Sequence, residues 1–167
     1  MSVYATRAFK LGEAQIINLI TFSTFFAIFG SFISGYISDR IGARVSLLTV
    51  FMLWIVCITL GAFVRSTNLY WLVGSLVGVV LGATWVVSRA LAVKLVPEER
   101  MGEVFGLFNL VGYLSGILGS LFWGIILLFL SPWGETGYRI ALFSLNLFIL
   151  LGLIFLLRIP KISTKNS

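Results

Sequence analysis

Four short polar breaks divide the sequence into five long apolar runs. The runs cover approximately residues 14–37, 45–64, 69–92, 104–130 and 140–157. A membrane-spanning helix needs about 20 mostly apolar residues, and each run reaches or approaches that length. No run shows the two-residue alternation of a half-buried strand. The sequence therefore predicts an all-α polytopic membrane protein with about five transmembrane helices and the lipid bilayer as its surroundings.

The composition supports the same class. Hydrophobic residues make up 59% of the chain and charged residues 11%, and the mean hydropathy is +1.08. A soluble domain carries about 25% charged residues, so this chain has too little polar surface for a water-soluble globule. The net charge of +6 comes from basic residues that flank the apolar runs. That placement indicates membrane topology rather than nucleic-acid binding.

The absence of some residue types limits the kinds of catalytic and metal site that the chain could form. The chain has no histidine, and Cys57 is its single cysteine. These counts exclude Ser-His-Asp and Cys-His catalysis within the chain, and they argue against a zinc site. No pair of catalytic groups falls together inside the predicted spans. We predict that the protein is not an enzyme and has no cofactor and no metal.

The distribution of Lys and Arg predicts the orientation. One side of the predicted bundle carries four basic residues and the other carries eight, and the richer side is expected to be cytoplasmic. This puts the C-terminus inside, with 158–167 as a basic cytoplasmic tail, and the N-terminus outside. Because 1–10 does not resemble a signal peptide, an outside N-terminus suggests a chain that lacks an upstream helix. The basic residues of the richer side are Arg40, Arg44, Arg89, Lys94, Arg100, Arg158, Lys161 and Lys165.

The first break carries an unusual group of charges. It reads Gly35-Tyr36-Ile37-Ser38-Asp39-Arg40-Ile41-Gly42-Ala43-Arg44 and contains the only Asp of the chain. One interpretation is an ordinary tight turn with positive-inside charges. The pattern also resembles the cytoplasmic loop signature G-x-x-x-D-R-x-G-x-R of the major facilitator superfamily. In that superfamily the signature joins the second and third helices of each six-helix half.

A second stretch strengthens the resemblance. Ser88-Arg89-Ala90-Leu91 is followed by Pro97, Glu98 and Arg100, and then by Phe105-Gly106-Leu107-Phe108. This order is similar to the vacuole-effluxer-like, amino-acid effluxer-related permease branch of the superfamily. The resemblance implies a twelve-helix secondary carrier that works by alternating access. The five runs would match helices eight to twelve, in a bacterial inner membrane, with the missing N-terminal half of the carrier as partner and an unknown small solute as substrate.

The resemblance also implies a set of gate residues at the cytoplasmic end. Arg89 lies about one turn inside the third predicted span and has two interpretations. Its side chain either extends to the interface or forms a buried pair with Asp39 that latches one conformation of the carrier. The predicted cytoplasmic gate consists of Gly35, Asp39, Arg40, Gly42, Arg44 and Arg89.

Four polar residues are candidates for a substrate cavity. Gln15 and Asn18 lie at the outer end of the first span, and Asn109 and Tyr113 lie inside the fourth. Polar side chains at such depth usually face protein or a cavity rather than lipid. Hydrogen bonding between helices and contact with a solute both remain open interpretations.

Small residues recur every four positions in three of the runs. This spacing places them on one helix face and permits close packing between helices. The second run lacks such a stripe, and we expect it to be peripheral and lipid-facing. An alternative function, a non-transporting scaffold subunit or a degraded transporter remnant, would use the stripes for assembly alone. The three stripes are Ser23, Ala27, Ser31 and Gly35; Gly74, Gly78 and Gly82; and Gly112, Gly116, Ser120 and Gly124.

Overall fold

The computed structural model describes residues 12–159, which form helices and no strand. The all-α prediction is confirmed for this part of the chain. Between residues 12 and 159 the six α-helices are α1 (Glu13–Ile41), α2 (Ala43–Phe63), α3 (Thr67–Leu95), α4 (Met101–Leu130), α5 (Gly134–Ser144) and α6 (Asn146–Arg158). Two single-turn 3₁₀ helices, Glu98–Arg100 and Ser131–Trp133, precede α4 and α5.

Four helical stretches of the described chain are long and apolar enough to cross a membrane. They are Glu13–Ile41, Ala43–Phe63, Thr67–Leu95 and a 61-residue stretch, Glu98–Arg158, that includes α4, α5 and α6. The expected fifth run at 140–157 differs from its prediction, because a turn at Leu145 divides it into helices of 11 and 13 residues. A polytopic bundle is confirmed, and the count of five separate spans stays a prediction.

The first break is much shorter than the sequence suggests. α1 continues through Asp39 and Arg40, and Gly42 is the single residue between α1 and α2. Gly42 has φ 90°, in the region that glycine tolerates and other residues avoid. Its N–H donates to the Ser38 carbonyl at 3.0 Å, which closes the last turn of α1. Most of the expected loop is therefore helical.

The small-residue stripes of the first and third runs pack against each other. A Cβ added at Gly78 would collide with the Ser23 carbonyl, and one added at Gly82 would collide with the Ala27 carbonyl. Ser23 Oγ donates to the Gly74 carbonyl at 2.8 Å. The contacts advance in the same direction along both helices, so α1 and α3 run parallel with backbones in close approach. The predicted tight packing of the α3 glycines is confirmed.

That the second run is peripheral and lipid-facing stays a prediction, and in the described chain α2 has one exposed face and one buried face. One face of α2 is buried against α3, α5 and α6, and Cys57 within it is only 3% exposed. Within an all-apolar helix, hydropathy has no period that separates a lipid-facing side from a protein-facing side. The small side chains mark the buried face instead. The buried residues of α2 are Ala43, Ser46, Leu47, Val50, Cys57, Ile58, Gly61 and Ala62.

Helix α4 contrasts with α2, because none of its residues is buried in the described chain. It is held mainly at its C-terminal end, where Gly137 of α5 packs directly against the Leu130 carbonyl. Gly134, with φ 62°, allows the chain to reverse there. A Cβ added at Gly112, Gly116 or Gly124 would meet no atom within 4 Å. The third stripe is therefore unpartnered within residues 12–159.

Candidate functional site: the charged end of the bundle

The predicted gate residues of the first break lie where α1 ends and α2 begins. Asp39 and Arg40 are exposed in the last turn of α1. The Arg40 guanidinium carbon lies 4.4 Å from the centre of the Tyr36 ring, one turn earlier on the same helix. This cation–π contact keeps the charge at the end of the helix. Asp39 makes no ion pair with any residue in the 12–159 range.

Arg44 has a different environment from Arg40. Its Nη2 donates to the Leu157 carbonyl at 3.0 Å, near the C-terminal end of α6. Its Nε is buried and has no partner among the described residues. The last carbonyls of a helix lack partners within the helix and carry partial negative charge, so a guanidinium stabilises them. The structure therefore gives Arg44 a contact that links α2 to α6.

The Arg89 side chain is not paired with Asp39 in the described chain, and it is not fully exposed. It is half-buried in α3, and its guanidinium carbon lies 4.6 Å from the Trp85 ring centre. An added Cβ at Gly35 would lie 3.6 Å from Val86 Cγ1, so Arg89 is at the same end of the bundle as Asp39. Between 12 and 159, however, no carboxylate comes within 4.0 Å of it. In this conformation the ion pair between Asp39 and Arg89, one of the two interpretations above, is not formed.

The four candidate cavity residues are not brought together. All four are exposed, and Tyr113 is 76% exposed. Gln15 accepts a hydrogen bond of 3.1 Å from the Gly12 N–H and so caps the start of α1. None of the four lines any of the cavities described below. Their role in solute contact stays a prediction.

The bundle contains an apolar cavity of about 270 Å³ between α1, α2, α3 and α5. Cys57 and Ile58 form part of one wall, and Gly74 and Gly78 form part of another. Two hydroxyl groups in the wall bond to backbone carbonyls: Ser23 donates to Gly74, and Thr24 Oγ1 donates to Ile20 at 2.9 Å. No charged side chain is among the described residues of the wall.

A second cavity of about 680 Å³ lies at the end of the bundle opposite Gly42 and includes an ion pair that sequence reasoning missed. Arg139 Nη2 lies 2.7 Å from Glu135 Oε1, and Arg139 Nη1 donates to the Ala62 carbonyl at 3.0 Å. The four-residue spacing of the acid and the base on one helix was a readable signal for the pair. The contact with Ala62 was not readable, because it joins α5 to the end of α2.

A third cavity of about 500 Å³ lies at the charged end of the bundle, between α2, α3 and α6, with Phe108 of α4 in its wall. Its wall is almost entirely apolar and includes Phe51, Leu95, Phe108 and Phe155. Ser88, two turns before the end of α3, is the polar exception. The cavity shows that α4 is loosely packed at this end.

Comparison with known proteins decides the family. The sequence profile of the Major Facilitator Superfamily matches residues 1–167, which is the whole chain. The chain belongs to the major facilitator superfamily. The charged turn at Gly42 and the helix pair α1–α3 are thus features of a superfamily protein.

Several superfamily proteins are similar to this chain at low identity. The MFS-type transporter YxiO of Bacillus subtilis is 24% identical over 90% of this chain and 34% of its own length. A Na(+), Li(+), K(+)/H(+) antiporter of Planococcus maritimus is 24% identical over 92% of this chain and 36% of its own. The hexose-6-phosphate:phosphate antiporter of Escherichia coli is 25% identical over 99% and 38%.

The lengths of these relatives can be compared with the length of this chain. The chain spans about a third of the length of each of the three. No solved structure matches the chain. Family membership and the apolar helices together make it an integral multi-pass membrane protein.

Proposed function

We propose that this chain is the C-terminal portion of a secondary carrier that moves a small solute across a bacterial inner membrane by alternating access. Superfamily membership and the apolar bundle support this function. Two of the relatives named above are antiporters by name. The order of the two sequence motifs favours the vacuole-effluxer-like branch and helices eight to twelve.

The observation that carries the proposal is the unpartnered face of α4. This 30-residue apolar helix buries no residue in the described chain, yet it presents glycines at four-residue spacing. Lipid gives no advantage to such a stripe, whereas a neighbouring helix does, because small residues allow close backbone approach. We propose that helices of the N-terminal half of the carrier cover this face.

The same contrast distinguishes the carrier from the alternative of a scaffold or remnant. The α1–α3 stripe already has its partner inside the chain and would serve assembly in either case. The α4 stripe has no partner among the described residues, and only in the carrier would loss of an outside partner reduce uptake of a solute. Glycine substitutions in α4 therefore test the proposal, and those in α3 do not.

The first experiment measures the native polypeptide. An antibody against 161–167 on source membranes should detect a band more than twice the 18.5 kDa of this chain. In that long form, Gly116→Leu should reduce uptake of the carrier's solute, whereas Gly102→Leu on the same helix should not. A band at this chain's size alone would reject the carrier in favour of the alternative.

The gate is tested separately in the long form. Asp39→Asn removes a carboxylate at the cytoplasmic end of α1, and Glu99→Gln removes an exposed one at the same end as a matched control. Asp39→Asn should lower uptake and the control should not. Unchanged uptake with both variants would remove Asp39 from the gate. Reporter fusions at the C-terminus should show cytoplasmic activity if the proposed orientation is right.

A further inference from the structure

The helix α2 and the arm formed by α5 and α6 make one continuous antiparallel pair. Residues from the C-terminal end of α2 contact the start of the arm, and residues from the N-terminal end of α2 contact its end. The contacts continue across the turn at Leu145. They are Arg139 with the Ala62 carbonyl, Leu142 against Gly61, Asn146 Nδ2 with Thr59 Oγ1 at 3.4 Å, Gly152 against the Phe51 ring, and Arg44 with the Leu157 carbonyl.

The two ends of this pair are closed in the same way. At the outer end α2 terminates, and Arg139 of the arm donates to the Ala62 carbonyl at 3.0 Å. At the cytoplasmic end the arm terminates, and Arg44 of α2 donates to the Leu157 carbonyl at 3.0 Å. Each helix thus provides an arginine to the C-terminal carbonyls of its partner. A cation there satisfies an orphan acceptor and the negative end of the helix dipole together.

Apolar packing fills the interior of the pair, where Leu142 packs with Ile58, and Leu156 lies in one cluster with Leu47. Polar contacts there are weak: the bond from Asn146 to Thr59 is long, and Asn146 Oδ1 is buried without a partner among the described residues. The turn at Leu145 also interrupts the arm near its middle. Polar contacts at both ends of the arm would hold its two short helices in line across that turn.

We infer that Arg44 and Arg139 are reciprocal clamps that make α2, α5 and α6 one rigid body. The use of such a rigid body in transport rests on the proposed carrier function, whereas the contacts of the two arginines are properties of this chain alone. The clamp gives Arg44, a residue of the charged signature, a task other than gating. It also explains how an arm that is divided at Leu145 stays attached to α2 at both ends.

The test uses distances between paired spin labels in the native-length protein in bilayers, with Cys57→Ala as background. One pair, Val45→Cys with Phe155→Cys, reports on the cytoplasmic end. The other, Leu60→Cys with Ile140→Cys, reports on the outer end. All four sites are exposed, so labels do not disturb the packed face. Without substitution of either arginine, both distance distributions should be narrow.

Each clamp should control its own end. Arg44→Gln should broaden the distance distribution of the cytoplasmic label pair and leave that of the outer pair unchanged. Arg139→Gln should broaden the distribution of the outer pair and leave that of the cytoplasmic pair unchanged. The unaffected end shows in each case that the protein has folded. Arg44→Lys should restore the cytoplasmic distribution in part, because an ammonium still donates to the carbonyl.

Two matched controls separate the clamp from general loss of charge. Arg40→Gln removes an arginine of the same signature that contacts Tyr36 on its own helix, and it should leave both distributions narrow. Glu135→Gln removes the ion pair but keeps the donation from Arg139 to Ala62, and it should leave the outer distribution narrow.

Unchanged distributions in the Arg44→Gln, Arg139→Gln double variant would overturn the inference. So would an equal broadening at both ends from either single substitution, or a broadening from Arg40→Gln as large as that from Arg44→Gln. Since the measurement requires no solute, failure of the transport proposal would leave its result intact.

Discussion

Gly78 of α3 lies so close to Ser23 of α1 that a Cβ on the glycine would collide with the serine carbonyl. This contact sets the distance between the two parallel helices. It also places Ser23 Oγ within 2.8 Å of the Gly74 carbonyl one turn away. Close backbone approach and an interhelical hydrogen bond therefore depend on the same stripe of small residues.

Gly78→Ala is expected to destabilise the bundle, because the added methyl group meets backbone rather than a movable side chain. Overpacking of this kind costs about 1–3 kcal/mol. Unfolding in mixed detergent micelles, followed by circular dichroism, measures the change. The matched control is Gly106→Ala in α4, where an added Cβ meets nothing within 4 Å. Equal destabilisation by both variants would contradict the assigned packing.

Trp54 and Thr84 should be energetically coupled. The Trp54 indole Nε1 donates to Thr84 Oγ1 at 2.9 Å and so links α2 to α3. Hydrogen bonds between membrane helices are worth about 0.6 kcal/mol on average. A double-mutant cycle with Trp54→Phe and Thr84→Val should give a coupling of that order in the free energy of unfolding. Additive effects of the two substitutions would show that the bond contributes nothing.

Cys57 should be a reporter of unfolding rather than a reactive surface thiol. It is 3% exposed in the centre of α2. A large, polar maleimide is expected to label the folded protein slowly and the unfolded protein rapidly, with labelling followed by mass shift. The control is Phe63→Cys in a Cys57→Ala background, because Phe63 is 72% exposed at the end of the same helix. Equal labelling rates at both positions in the folded protein would contradict the burial of α2.

The ion pair between Arg139 and Glu135 should contribute little to stability by itself. The Glu135 side chain is 55% exposed, and exposed pairs are typically worth less than about 1 kcal/mol. Glu135→Gln is therefore expected to lower stability only slightly, whereas Arg139→Gln also removes the donation to the Ala62 carbonyl and should cost more. Thermal unfolding of both variants gives the comparison. A larger loss from Glu135→Gln would reverse the assignment.

The sequence by itself determined the membrane class, the helical fold and most of the helix positions. Those properties depend on the length and apolarity of each run, which are local. The sequence also identified the glycine face of α3, because small residues at four-residue spacing lie on one face of a single helix. The charged signature at Gly35 to Arg44 indicated the superfamily, which the family comparison confirmed.

Only the tertiary structure decided which faces meet. An apolar helix carries no hydropathy period that distinguishes lipid from protein, so the sequence did not show which face of α2 is buried. The structure also paired the α1 stripe with the α3 stripe and left the α4 stripe open. Arg44 and Arg139 are far from their acceptors in sequence, and a backbone carbonyl has no signature of its own. Their contacts with Leu157 and Ala62 therefore appear only when the helices are placed side by side in space.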